Sequence, residues 1–393
     1  MDTIKYGLIY VNEIKYDDIA WSMLGNGKNI EIINTEISIY SKNRSDIEKV
    51  IVKLAEKSIE VAISMNFCPA VSDACMELGI KYVAWVYDMP QQGLYEDQIY
   101  NECNYIFSFD QIQVLQLLQK GVKNVYHLPL ATNIYRNAGL VVNERDEAEY
   151  SCDISFVGSM YSENYYNAVK TFVSEPTNRE INNIISTAYG KWDGINRING
   201  QLSEKALDEL WNINGNKMSI DHKMGKDDFL GAALFSRYLA NLERTNILIK
   251  LNKYNIRLYT TDKNIVIPGV RIGSELSYDE QLPKVYFLSK INLNITLHSI
   301  ISGIPLRVFD IMGVGGFMLT NYQPEIEDYF LIGKDIEVYR DIDELVDKVD
   351  FYLKNENARL RIALNGYKVV SEKHSYDNRI NEILEKLDRR LLA

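Results

Sequence analysis

Leu306-Arg307-Val308-Phe309-Asp310-Ile311-Met312-Gly313-Val314-Gly315-Gly316-Phe317-Met318-Leu319-Thr320 reads as a helix, a glycine turn and a strand. Arg307, Asp310 and Gly313 follow at three-residue spacing, so Arg307 and Asp310 share one side of a helix that stops at Gly313. A helix feeding directly into a short apolar strand is the repeating step of an α/β sheet. Working outward, the same step recurs. Upstream stand the apolar runs Ile256–Thr260, Ile265–Ile267 and Ile291–Ile295, and before them Asp153-Ile-Ser-Phe-Val-Gly158-Ser159 restarts a strand ending in a Gly-Ser turn. Downstream, Gln323-Pro324-Glu325 offers a helix start, and Ile342, Leu345, Val346, Val349, Tyr352 and Leu353 fall on one helical face.

The first 135 residues keep the same rhythm. Tyr6–Val11, Ile30–Ile33, Val61–Met65, Tyr82–Tyr87, Tyr105–Phe109 and Val125–Leu128 are short continuous apolar runs, as expected of parallel strands buried on both faces. Ser45-Asp-Ile-Glu48 has the form of a capping box before a helix. Residues 136–152 lose the rhythm, carry a charge run and read as a linker. Residues from about 160 to 250 show little strand signal and read as a helical insertion, and Asn378–Leu392 as a last helix. The expectation is an α/β protein with two Rossmann-like, doubly wound domains facing a cleft: residues 1–135, then 153–372. A carboxy-terminal helix, 373–393, is expected to pack back on the amino-terminal domain.

Composition narrows the function. Hydrophobic residues make up 46% and charged residues 25%, an ordinary globular profile. The net charge of −11 argues against nucleic-acid binding, although a local basic patch would allow peripheral membrane contact. Cys68, Cys75, Cys103 and Cys152 show no metal-ligand spacing and read as free thiols. Residues 1–11 do not have the form of a signal peptide, and no stretch reaches the roughly 20 apolar residues of a membrane span. A cytoplasmic enzyme is expected.

The opening segment also carries chemistry. A guanidinium takes two phosphate oxygens at once, a carboxylate one turn away accepts from both hydroxyls of a ribose, and glycines allow close approach to the backbone. An Arg–Asp pair at this spacing also serves as a surface ion pair, so the segment alone leaves both readings open.

The order of motifs decides more. Tyr278-Asp-Glu-Gln-Leu-Pro283-Lys-Val-Tyr286-Phe-Leu-Ser289-Lys290-Ile291-Asn292-Leu293-Asn294-Ile-Thr296, then Arg307–Asn321, then His374-Ser-Tyr376-Asp-Asn-Arg379, resembles the spore-maturation-protein-like branch of the group 1 glycosyltransferases. The resemblance implies a GT-B fold with the nucleotide sugar held by the carboxy-terminal domain and the acceptor by the amino-terminal one. It implies that Asp310, where the family carries Glu, binds the donor ribose. It also implies that Gly158-Ser159 is the phosphate-side glycine turn. A second family Glu, eight residues upstream, is replaced by Ser302, or by Gly303 if the register slips by one.

Donor contacts are therefore expected at Gly158, Ser159, Lys290, His298, Arg307, Asp310, Gly315 and Gly316. Transfer is expected to run without a metal or cofactor, the charge of the departing diphosphate being met by amides, a helix amino terminus and fixed cations. The donor expected is a UDP-sugar, and the acceptor a cell-surface glycan, glycolipid or protein. In the first half, Asp88 follows an apolar run and is the acidic candidate for an acceptor base, with His127 behind it. Two rival functions are a catalytically silent nucleotide- or glycan-binding protein of the same fold, and a sugar-nucleotide epimerase.

Overall fold

The computed structural model describes residues 4–11, 17–215 and 223–388. The chain divides into two compact units, one of residues 1–131, 221–224 and 374–393, the other of residues 132–220 and 225–373.

The first unit is built on β1 (Lys5–Tyr10), β2 (Asn29–Asn34), β3 (Val61–Met65), β4 (Lys81–Val86), β5 (Asn104–Ser108) and β6 (Val125–His127). They form one parallel sheet in the order β2-β1-β3-β4-β5-β6. Every residue of β3 and β5 is buried, which is why these strands read as unbroken apolar runs rather than alternating ones. The helix expected at the Ser45–Glu48 box instead begins at Arg44 and is capped by Asn43, whose side chain accepts from the Asp46 amide. Asn caps as well as Ser does, and the shifted start leaves Glu48 to pair with Arg44 one turn back along the helix.

The helix Tyr376–Asp388 belongs to this unit, with Ile380, Ile383, Leu384 and Leu387 buried. Arg379 donates to the Pro129 carbonyl at 2.9 Å, and the Tyr376 ring meets Trp85 edge-on at 5.8 Å. The expected continuation to Leu392 lies outside the described residues.

The second unit holds β7 (Cys152–Val157), β8 (Ile256–Tyr259), β9 (Val270–Gly273), β10 (Ser289–Asn294), β11 (Met318–Asn321) and β12 (Glu337–Tyr339). Its parallel order is β12-β11-β10-β7-β8-β9, so the chain enters in mid-sheet, runs outward to β9, then returns to the other side of β7. Ile265–Ile267 is not a strand. Asn264 at φ 59° and Gly269 at φ 78° flank it, Pro268 cannot donate to a ladder, and the extended segment begins only at Val270. Residues 136–152 are more ordered than a linker: a helix at Glu144–Tyr150 carries an Asn143–Asp146 capping box, and β7 begins at Cys152. Between β7 and β8 the described residues form helices, the last being a π-helical turn, Gly231–Ser236, that runs into Arg237–Lys250.

Candidate active site

In a doubly wound sheet the loops of two neighbouring strands diverge where the strand order reverses, and ligands bind at the carboxyl ends there. In the second unit that point lies between β7 and β10. Gly158 ends β7, and the helix Leu306–Gly313 starts from the loop that follows β10. Its N-cap is Pro305, which supplies no side-chain acceptor, so the positive end of the helix is not capped by a side chain.

Arg307 sits in this crevice. It donates from Nη1 to the Asn294 side-chain oxygen at 2.6 Å, and its guanidinium lies 5.7 Å from the centre of the Phe156 ring. Gly158 is at φ 151°, and a Cβ there would come within 2.8 Å of Arg307 Nη2. Only glycine lets the guanidinium lie against the end of β7.

A second cation joins it. Arg244, from the helix Arg237–Lys250, is 3% exposed and lies 5.2 Å from the same Phe156 ring. It donates to the Ile295 carbonyl at 2.6 Å and to the Ser159 carbonyl, tying together the ends of the two strands at the reversal point. Burial pulls its pKa down to about 10, and the charge of Arg307 acts in the same direction. It therefore remains a cation at neutral pH. Arg237 and Arg244 both stand over the Tyr161 ring, at 5.9 and 5.1 Å. Among the described residues no carboxylate is within ion-pair distance of Arg307 or Arg244, whose partners are neutral oxygens. An acidic chain thus builds a concentrated positive pole, which has the composition of an anion site.

The Gly158-Ser159 turn is held from beneath. Asp262 accepts from the hydroxyls of Ser159, Ser162 and Thr260 and from the amides of Met160 and Ser162. Partial burial opposes ionisation of Asp262, yet these bonds outweigh it and hold its pKa at about 2. Ser159 therefore supports the turn through its hydroxyl. A folded pKa below the unfolded one stabilises the protein above about pH 3.8, and that contribution is lost as pH falls toward 2. Replacing Asp262 by Ala is expected to destabilise the unit by about 1–3 kcal/mol at neutral pH, read as a lower denaturant midpoint with an unchanged slope. The loss should shrink at pH 2.5; a pH-independent difference would refute this role.

One turn into the helix, Asp310 is 7% exposed and accepts from the hydroxyls of Thr132 at 3.0 Å and Tyr278 at 2.9 Å. Beside it lies a small pocket lined by Arg136, Tyr278, Tyr286 and Val314 among others. A second, open pocket lies where the loops after β10 and β11 meet residues 191–196. Trp192, His298, Ile301 and Tyr322 help to line it. His298 is bonded through Nε2 to Glu243 at 2.8 Å and stacks on Trp192 at 6.1 Å.

Other expected residues fall elsewhere. Lys290 opens β10 at the amino end of the strand, away from the carboxyl-end crevice, and pairs there with Asp153 at 2.8 Å. Gly315 and Gly316 follow the helix's far end, which a helix of eight residues places about 12 Å from its start. Gly315 makes the left-handed turn at φ 81°, and a Cβ on Gly316 would meet the Tyr286 carbonyl at 2.7 Å. Both are glycines of chain reversal and packing, at the amino end of β11. Ser302 donates to the buried carboxylate of Glu325 at 2.7 Å, so the loop before the helix is pinned from inside. Asp341-Ile342-Asp343, an alternating acid pair, begins a helix: Asp341 accepts from the Glu344 amide at 2.8 Å.

In the first unit Asp88 follows β4 and accepts from the Asn66 amide at 2.8 Å. Crowding by protein pushes its pKa up, against the pull of that bond, and the side chain remains open to solvent. His127 ends β6 and lies 3.4 Å from the Phe109 carbonyl. That contact gives it a structural bond, and it stands two strands away from Asp88's β4 in the sheet.

Sequence reasoning missed Arg244, Glu243, Asp262 and Trp192. Arg244 and Glu243 did leave a signal: they interrupt the apolar stripe of Ala240, Ile247, Leu248 and Leu251, where charge has no reason to be unless it is used.

The two-sheet architecture is that of GT-B glycosyltransferases. HepE of Anabaena, solved with UDP, aligns over 98% of this chain and 100% of its own at 8% identity, TM-score 0.51. A glycosyltransferase of Rickettsia africae aligns over 98% of each chain at 10% identity, TM-score 0.55. T4 phage BGT, solved with UDP-glucose, covers 98% of this chain and 99% of its own at 10% identity, TM-score 0.53. Residues 237–385 match the family model described as glycosyl transferase-like. None of the curated proteins compared with the chain matches it. No helix among the described residues is long and apolar enough to cross a membrane.

Proposed function

We propose that the protein transfers a glycosyl group from a UDP-sugar to a hydroxyl-bearing acceptor such as a glycan, glycolipid or glycosylated protein. The observation that carries this reading is the pair Arg307 and Arg244, with no carboxylate on either among the described residues, at the strand-order reversal and beside a helix amino terminus. As the glycosidic bond breaks, negative charge grows on the departing diphosphate, and fixed cations with helix amides stabilise it there. Two guanidiniums supply charge that a divalent ion provides in other transferases, which favours a metal-independent reaction. The ribose falls to Asp310 and the glycosyl ring to the cavity with His298. The motif order at 278–321 supports placing the chain in the spore-maturation-protein-like branch.

Titration calorimetry with UDP, uridine and UDP-glucose tests this. Expected is UDP binding far tighter than uridine binding; equal affinities, or none, would sink the proposal. For the acceptor step, Asp88→Asn is expected to lower turnover about tenfold, one lost hydrogen bond to a hydroxyl. The wild-type rate should fall as pH drops through the raised pKa of Asp88, because protonation removes the acceptor, and the variant should lack that limb. A variant with an unchanged acid limb would remove Asp88 from this role.

A further inference from the structure

Glu243 is the most secluded carboxylate in the second unit. Its side chain has no exposure, and its Oε1 accepts from the Gly190 amide and from His298 Nε2, both at 2.8 Å. Its Oε2 is buried with no partner among the described residues. A carboxylate kept in this state costs stability, so its retention calls for a role beyond packing. Among the described residues His298 makes no other polar contact: Nδ1 is left over, on a side chain 10% exposed that lines the pocket beside residues 191–196.

We infer that Glu243 is a positioning residue that holds the His298 proton on Nε2, so that the neutral ring presents Nδ1 to the cavity as a hydrogen-bond acceptor. An ionised carboxylate only accepts, so the nitrogen facing it must carry hydrogen; in a neutral imidazole the other nitrogen is then bare. Stacking on Trp192 fixes the ring plane, and Gly190, at φ 67°, brings its amide to the same oxygen. What a bare Nδ1 reads is a hydroxyl donor. The cavity thus selects an uncharged, hydroxyl-bearing ring over one with an acceptor such as a carboxylate or carbonyl at that position. This rests on the nucleotide-sugar reading of the neighbouring site.

The chain has four histidines, so nitrogen-15 histidine labelling resolves His298 directly, with His298→Gln as the assignment control. In the wild type at pH 8, Nε2 is expected to be the protonated, pyrrole-type nitrogen and Nδ1 the pyridine-type one. The reverse pattern, or exchange between the two, overturns the inference. In Glu243→Gln the Gly190 amide keeps the carboxamide oxygen in the place of Oε1, so the pattern should persist, whereas Glu243→Leu removes the acceptor and should let the two tautomers exchange; a variant that fails to fold leaves the wild-type spectrum decisive. Adding UDP-glucose should move the His298 Nδ1 resonance, and UDP should not. Equal movement with both, or none with UDP-glucose bound, overturns the cavity's part in it. Absence of UDP binding would instead count against the function proposed above.

Discussion

Arg307→Ala is expected to cost about 2–3 kcal/mol of UDP affinity, roughly 30- to 150-fold, while uridine binding stays within about twofold. The asymmetry follows from position. Arg307 stands at the first turn of its helix, beside the glycine that ends β7, and Asp310 lies one turn further along. A guanidinium can take two phosphate oxygens at once, and among the described residues no carboxylate neutralises this one, so its loss is expected to remove charge-assisted bonds from the diphosphate alone. Arg307→Lys should recover only part of the loss, since an ammonium keeps the charge but not the fork. Calorimetry of both ligands on both variants checks this. A parallel loss for uridine and UDP would mean that the substitution distorts the crevice instead of removing a phosphate contact.

Arg244→Met should act first on stability. Its guanidinium donates to the Ser159 and Ile295 carbonyls, and methionine of similar length leaves both without a partner in a dry interior. Breaking a buried charged hydrogen-bonding group in this way costs about 3–5 kcal/mol. For a unit of this size that lowers Tm by about 6–20 °C. UDP should restore part of the loss by mass action if the remaining site still binds it. A Tm within about 2 °C of the wild type would show that the two carbonyls find other donors and that Arg244 is not the tie between the strands.

The fold was legible because parallel strands buried on both faces leave continuous apolar runs, and Val61–Met65 or Tyr105–Phe109 could hardly be read otherwise. Ile265–Ile267 shows the limit of that signal: three apolar residues followed by Pro268-Gly269 make a turn, whatever their propensity. At the site, Arg307 and Asp310 were legible from helical spacing, and Gly158 from its place at a strand end. Gly315 and Gly316 turn and pack the chain, and in sequence such glycines look like glycines that admit a ligand. Lys290 was misplaced for a related reason: a strand's two ends carry the same letters, and only topology tells which end faces the crevice. Arg244 and Glu243 are remote in sequence from everything they touch, so their partners could not be named before the fold was known.

The mid-sheet entry of the chain also bears on how the protein is made. Ser155 and Asn292, whose side chains meet across β7 and β10, are 137 positions apart. Until that long span of helices and outer strands has been synthesised and has folded back, the β7 carboxyl end has β8 on one side but lacks β10 on the other, and the crevice between β7 and β10 does not exist. Closing so large a loop is slow, and it is among the later events in folding. A ribosome-bound chain halted before β10 would therefore have its first sheet and no nucleotide site. Arg244, already in place on its helix, would be waiting for the Ile295 carbonyl.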